Sequence, residues 1–168
     1  MVRRQQGFSL LEGVISILLV ACFYGVLSLY LDRLAARTEA AAMDAVVRQL
    51  EHQVNRRVAQ LYIRGETQKI TMLEGQNPFV WFAESPQFYG GEIAGQQKGQ
   101  LRSKRWYYDT ESGHILYLAE YNNYLKIEGS SSRFVQFVLK LKHTAADAVA
   151  KRTSLELVIH PVTPYSWF

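Results

Sequence analysis

Residues 8–31, FSLLEGVISILLVACFYGVLSLYL, form an apolar run whose single formal charge is Glu12. About 20 predominantly apolar residues suffice for a helix to cross a bilayer, so this run sets the first constraint on the chain. A carboxylate at the centre of such a span costs roughly 2.5–3.5 kcal/mol on the insertion scale. Glu12 stands about one turn from the start of the run, near the membrane edge, where it can reach water or a positive partner. A cut before Phe8 would supply that partner by exposing an α-amino group. Arg3 and Arg4 precede the run and, by the positive-inside rule, keep that end cytoplasmic. A secretory signal would have a shorter apolar region and a small-residue cleavage site, and no clear one precedes Asp32.

The segment Arg3-Arg4-Gln5-Gln6-Gly7-Phe8-Ser9-Leu10-Leu11-Glu12 resembles the class III signal of type IV pilins and pseudopilins: a basic leader, a glycine before the cut, phenylalanine after it, then a glutamate in the apolar run. The resemblance implies cleavage of the Gly7-Phe8 bond by a prepilin peptidase, N-methylation of Phe8, and an assembly role for Glu12 through the N-terminal amine of a neighbouring subunit. It also implies an inner-membrane assembly platform as a partner. The expected location is the bacterial inner membrane, with a periplasmic head that later joins a filament. A carboxylate and an ammonium attract strongly in low dielectric, while either alone is penalised there. A plain membrane anchor explains Arg3 and Arg4 but leaves Glu12 and the Gly7-Phe8 junction unexplained.

The rest of the chain fits one modest domain. The formal charge of +4 falls to +2 without residues 1–7, because Arg3 and Arg4 are the only charges lost. Basic residues are scattered, and Arg102-Ser103-Lys104-Arg105 reads as a solvated loop or strand start, so no nucleic acid is expected as a partner. Cys22 is the only cysteine, which rules out an intramolecular disulfide. Many major pilins close a C-terminal loop with one, so the resemblance narrows to a pseudopilin or minor pilin. Cys22 itself reads as a small buried hydrophobe.

The first proline is Pro78, so the helix is expected to run out of the membrane to about residue 62 and stop at Gly65. Leu34, Met43, Val46, Val47, Leu50, Val54, Val58 and Leu61 recur at spacings of three and four. Arg37, Glu39, Asp44, Arg48, Glu51, Arg56 and Arg57 are assigned to the other faces. The apolar pattern lacks sustained Leu or Ile pairs, so packing on the chain's own sheet is expected over a coiled coil. The domain plan is a leader at 1–7, a membrane and filament-core helix at 8–31, an amphipathic continuation at 32–63 and a head at 64–168. The fold class is α+β: a long N-terminal helix packed on a small antiparallel sheet, the pilin-like layout.

Within the head, residues 69–73 read as a short strand. Asn77 caps a short helix over residues 79–83, with Pro78 at its first position. Residues 86–100 read as loop. Residues 105–108 and 114–120 form a hairpin, residues 124–127 an edge segment, and two half-buried antiparallel strands follow, with Val135, Phe137, Leu139 and Leu141 on one inner face and Leu155, Leu157 and Ile159 on the other. The aromatic tail at 165–168 is expected to tuck against the head. The combination Asn77-Pro78, Tyr89-Gly90-Gly91-Glu92 and Arg105-Trp106-Tyr107-Tyr108-Asp109 resembles a segment of some minor pilin-like proteins of the mannose-sensitive haemagglutinin pilus system and of related secretion pseudopilins.

No catalytic constellation is legible. His52, His114, His143 and His160 lack paired-ligand spacing, and neither a phosphate loop nor a nucleophile motif occurs. Asp109 and Glu111 lack the alternating acidic loop of a calcium site. The expectation is a non-enzymatic filament subunit with no metal or other cofactor. The competing classes are a permanently anchored periplasmic module that binds a ligand, DNA or a surface, and a membrane-tethered enzyme.

Overall fold

A computed structural model describes residues 10–95, 101–129, 132–146 and 152–168. Its dominant element is one uninterrupted helix, α1 (Leu10–Ile63), about 80 Å long at 1.5 Å per residue. This helix is long and apolar enough to cross a membrane, and none of its most apolar window is buried. Gly65 ends it in the left-handed region at φ 70°. The Glu66 N–H bonds the Leu61 carbonyl at 2.9 Å and the Gly65 N–H bonds that of Tyr62 at 3.1 Å. This Schellman arrangement satisfies two of the carbonyls that a helix end leaves open.

Three short 3-10 turns follow, Thr67–Lys69, Thr71–Leu73 and Pro78–Trp81. The first two replace the strand expected over residues 69–73. A strand would bury residues two apart, whereas Ile70 and Leu73 are buried and Met72 between them is exposed. The third is the expected turn after Asn77, whose side chain accepts from the Phe79 N–H at 3.0 Å.

Among the described residues the head has seven strands: β1 (Tyr89–Ile93), β2 (Arg105–Asp109), β3 (His114–Leu118), β4 (Leu125–Ile127), β5 (Phe134–Ala146), β6 (Arg152–Pro161) and β7 (Tyr165–Trp167). The main sheet runs β1-β2-β3-β5-β6, and β4 pairs β7 in a separate two-stranded sheet. The β2-β3 hairpin and the long β5-β6 pair are antiparallel, as their turn residues and alternation require. One expectation is corrected here. Residues 89–93 are a strand, and it pairs β2 in parallel, so the main sheet is mixed. Gly90 and Gly91 hide this strand from propensity because glycine is depleted in sheets. The tail tucks against the head as expected, and does so as a strand, with Tyr165 opposite Ile127 and Trp167 opposite Leu125.

One face of the main sheet packs on the second half of α1. Met43, Leu50, Val54 and Leu61 from the helix meet Trp106, Ile115, Tyr117, Val135, Phe137 and Leu139 from the sheet. The Trp106 ring lies 5.0 Å from Tyr117 and 5.6 Å from Phe137 between centroids. The helix therefore uses its stripe on its own sheet. On the opposite face a smaller cluster of Ile93, Tyr107 and Leu116 is sealed by Leu101 and Phe134. At the far end of the helix the Tyr62 hydroxyl donates to the Leu155 carbonyl at 3.2 Å and accepts its N–H at 3.1 Å, occupying the free edge of β6.

Candidate functional site

Gly7 and Phe8 lie outside the described residues. Glu12 is exposed in the first turn of α1. From residue 10 to residue 34 every side chain is exposed on the isolated subunit, with only Gly13 partly covered. Leu10, Ile17, Val20, Phe23, Tyr24 and Val26 are each about two-thirds exposed or more. Cys22, expected to be buried, is exposed with them. Water disfavours apolar surface at roughly 25 cal/mol per Å², and this helix is long and apolar enough to cross a membrane.

Where α1 leaves this run and meets the head, a cleft of about 680 Å³ opens between helix and sheet. Leu31, Leu34 and Ala35 form its helix side, Phe88 and Trp106 its sheet side, and Glu39 reaches its floor. Leu34, assigned from its spacing to the packed face, is half exposed here because the sheet does not extend that far down the helix.

Glu39 corrects the sequence reading more sharply. Placed there among the charged faces, it is 3 % exposed. One carboxylate oxygen accepts the Tyr117 hydroxyl at 2.8 Å and the Glu120 N–H at 2.9 Å, and the other accepts the Tyr121 N–H at 3.0 Å. Those two amides lie just past the end of β3, where the sheet ladder no longer supplies an acceptor, so the helix supplies one. Burial, and then the Glu39 carboxylate, push the Tyr117 hydroxyl well above its ordinary value of 10.0. The missed signal was positional: Ala36, Glu39 and Met43 are spaced by three and four and are all buried, so Glu39 belongs to the stripe.

At the rim of the cleft, Lys104 has a left-handed backbone at φ 56°. Its ammonium lies 2.6 Å from Glu120 and 5.0 Å from the centre of the Tyr121 ring. The pair is half exposed, so it shapes the opening more than it stabilises the fold.

The second set of residues singled out by resemblance converges on one joint. The Asn77 amide donates to the Tyr89 hydroxyl at 2.9 Å and to the Glu92 carboxylate at 2.8 Å, while its oxygen caps the turn. Phe79 stacks on Tyr89 with centroids 4.2 Å apart. The ring of Tyr107 lies over Gly90, leaving no space for a Cβ, and the Tyr108 hydroxyl donates to the Gly75 carbonyl. Every one of these groups is spent on packing β1 against β2 and the turn. Asp109 is likewise used in its hairpin, accepting the Glu111 N–H at 3.1 Å.

No protein-family model, curated protein or solved structure matches the chain. The physical content of the site is an exposed apolar helix with one carboxylate near its start, which meets the head at a cleft. Among the described residues, no three of His, Cys, Asp and Glu are gathered as metal ligands.

Proposed function

We propose that the chain is a minor pilin or pseudopilin, a structural subunit of a type IV pilus or of a filament like that of type II secretion. In this reading a prepilin peptidase cleaves Gly7-Phe8 and methylates Phe8, and the subunit waits in the bacterial inner membrane with its head in the periplasm. The assembly platform then moves the apolar helix from lipid into a bundle of similar helices. Glu12 registers each subunit by pairing with the N-terminal amine of a neighbour.

The observation that carries the proposal is the position of Glu12. It is the only charge in the exposed apolar part of a helix that continues unbroken into the head. Lipid alone gives that carboxylate no use, whereas a helix bundle with exposed N-terminal amines does. The cleft at the neck suits the same purpose, since it extends the apolar surface toward the head. It also supports a second reading, an anchored module that binds an apolar ligand there, because its volume falls within the usual range of ligand pockets.

The deciding experiment is intact mass and N-terminal sequencing of the protein purified from membranes, with and without a co-expressed prepilin peptidase. A chain that begins at Phe8 and carries one added methyl supports the filament subunit. A chain that keeps Met1 or Val2 beside an active peptidase overturns it and leaves the anchored module.

A further inference from the structure

Arg57 lies on α1 two turns before Gly65 ends the helix, at the end remote from the apolar run. Its Nε is sealed from solvent and has no hydrogen-bond partner. A buried donor without a protein acceptor is costly and rare. Arg57 also lines two cavities, one of about 330 Å³ shared with Arg64, Lys69 and Gln76, the other of about 290 Å³ shared with Arg56 and Trp81. Glu66 is the only acidic residue lining either cavity, and it pairs with Lys69 at 3.0 Å. Among the described residues no carboxylate pairs with Arg56, Arg57 or Arg64.

Arg57 is thus shared by two cavities at the last turns of the helix, one also lined by Arg64 and the other by Arg56. Guanidinium donors form a planar fork that matches the oxygens of phosphate and carboxylate groups. Each cavity is at the lower limit of the ligand-pocket range, suited to one anionic group rather than a whole cofactor. We propose that Arg57 is the centre of an oxyanion-binding site, with Arg64 on one side and Arg56 on the other, that takes a single phosphate or carboxylate group. The bound oxygens accept from the Arg57 guanidinium. The site does not depend on the filament reading, because it uses no residue of the apolar helix or of the neck.

The test is side-chain NMR of the full chain in detergent micelles with ¹⁵N-labelled arginine, titrated with sodium phosphate, sodium acetate and, at matched ionic strength, sodium chloride. Arg57→Gln assigns the Arg57 Nε–H resonance by its loss. The expected result is a saturable shift of that resonance with phosphate or acetate, accompanied by Arg56 and Arg64, that chloride does not reproduce. The anion that saturates at lower concentration identifies the preferred group. In Arg57→Gln the shifts of Arg56 and Arg64 then need at least tenfold more anion. A resonance that follows ionic strength alone, equally in all three salts, overturns the proposal and leaves a cluster of solvated arginines. The titration of the unaltered chain decides this even if Arg57→Gln folds poorly.

Discussion

The Glu39 carboxylate accepts the Tyr117 hydroxyl at 2.8 Å across 78 positions of sequence, fastening the helix to the third strand at the neck of the head. With the two amides beyond β3 it completes a buried group of donors around one acceptor. Glu39→Ala is expected to destabilise the head by about 2–4 kcal/mol, because a hydroxyl and two backbone N–H groups lose their acceptor. Tyr117→Phe is expected to cost about 1 kcal/mol, since Glu39 keeps both amides. Denaturant unfolding of the full chain in micelles measures both, and equal losses would contradict this division.

The same contact sets an alkaline limit. Tyr117 is raised above 10.0 first by burial and then by Glu39, so the folded state holds its proton more tightly than the unfolded chain. The resulting stability is fully present below the unfolded value and is lost as pH rises above about 10 toward the folded value. Tyr89, Tyr108 and Tyr165 are raised as well, each mainly by burial, and act in the same direction. Tyr117→Phe should therefore reduce the loss of stability above about pH 10 without abolishing it. Unfolding midpoints collected from neutral to alkaline pH give the comparison.

Asn77 donates to Tyr89 and Glu92 while accepting from Phe79. Asn77→Ala removes the cap and both donors and is expected to cost about 2 kcal/mol. Asn77→Asp keeps the cap yet sets a carboxylate beside Glu92, so it should be no more stable than the alanine variant at neutral pH and should recover on acidification. Thermal midpoints at two pH values are sufficient to decide.

Gly90 lies directly under the ring of Tyr107, whose hydroxyl accepts the Arg102 N–H at 2.9 Å and donates to the Arg102 carbonyl at 3.2 Å. That tether stops the ring from swinging away. Gly90→Ala should cost about 1–3 kcal/mol by overpacking, and Gly90→Ala with Tyr107→Leu should recover part of it. Additive losses in the double variant would show that the ring is free to yield.

Glu12→Gln keeps the shape of the side chain and removes its charge. If the filament reading holds, cleavage at Gly7-Phe8 continues while incorporation into sheared filaments falls at least tenfold, a coupling loss of about 1.4 kcal/mol or more. Immunoblots of membrane and filament fractions separate the two steps. Unchanged incorporation would remove Glu12 from assembly.

The sequence alone determined the elements whose signals are local. The apolar run, the absence of proline before Pro78 and the stop at Gly65 define one long helix. Alternation defines β5 and β6, and the turn residues between β2 and β3 define their hairpin. Tertiary structure decided whatever depends on a distant partner. Glu39 looks solvated until the amides beyond β3 arrive to use it. Tyr89, Gly90 and Gly91 look like loop until β2 offers a parallel edge and Tyr107 covers the glycine. The tail becomes a strand only because β4 lies beside it. Backbone propensity and periodicity act over a few residues, whereas the pairing of buried polar groups and sheet edges is settled only when distant segments meet, as Glu39 meets Tyr117.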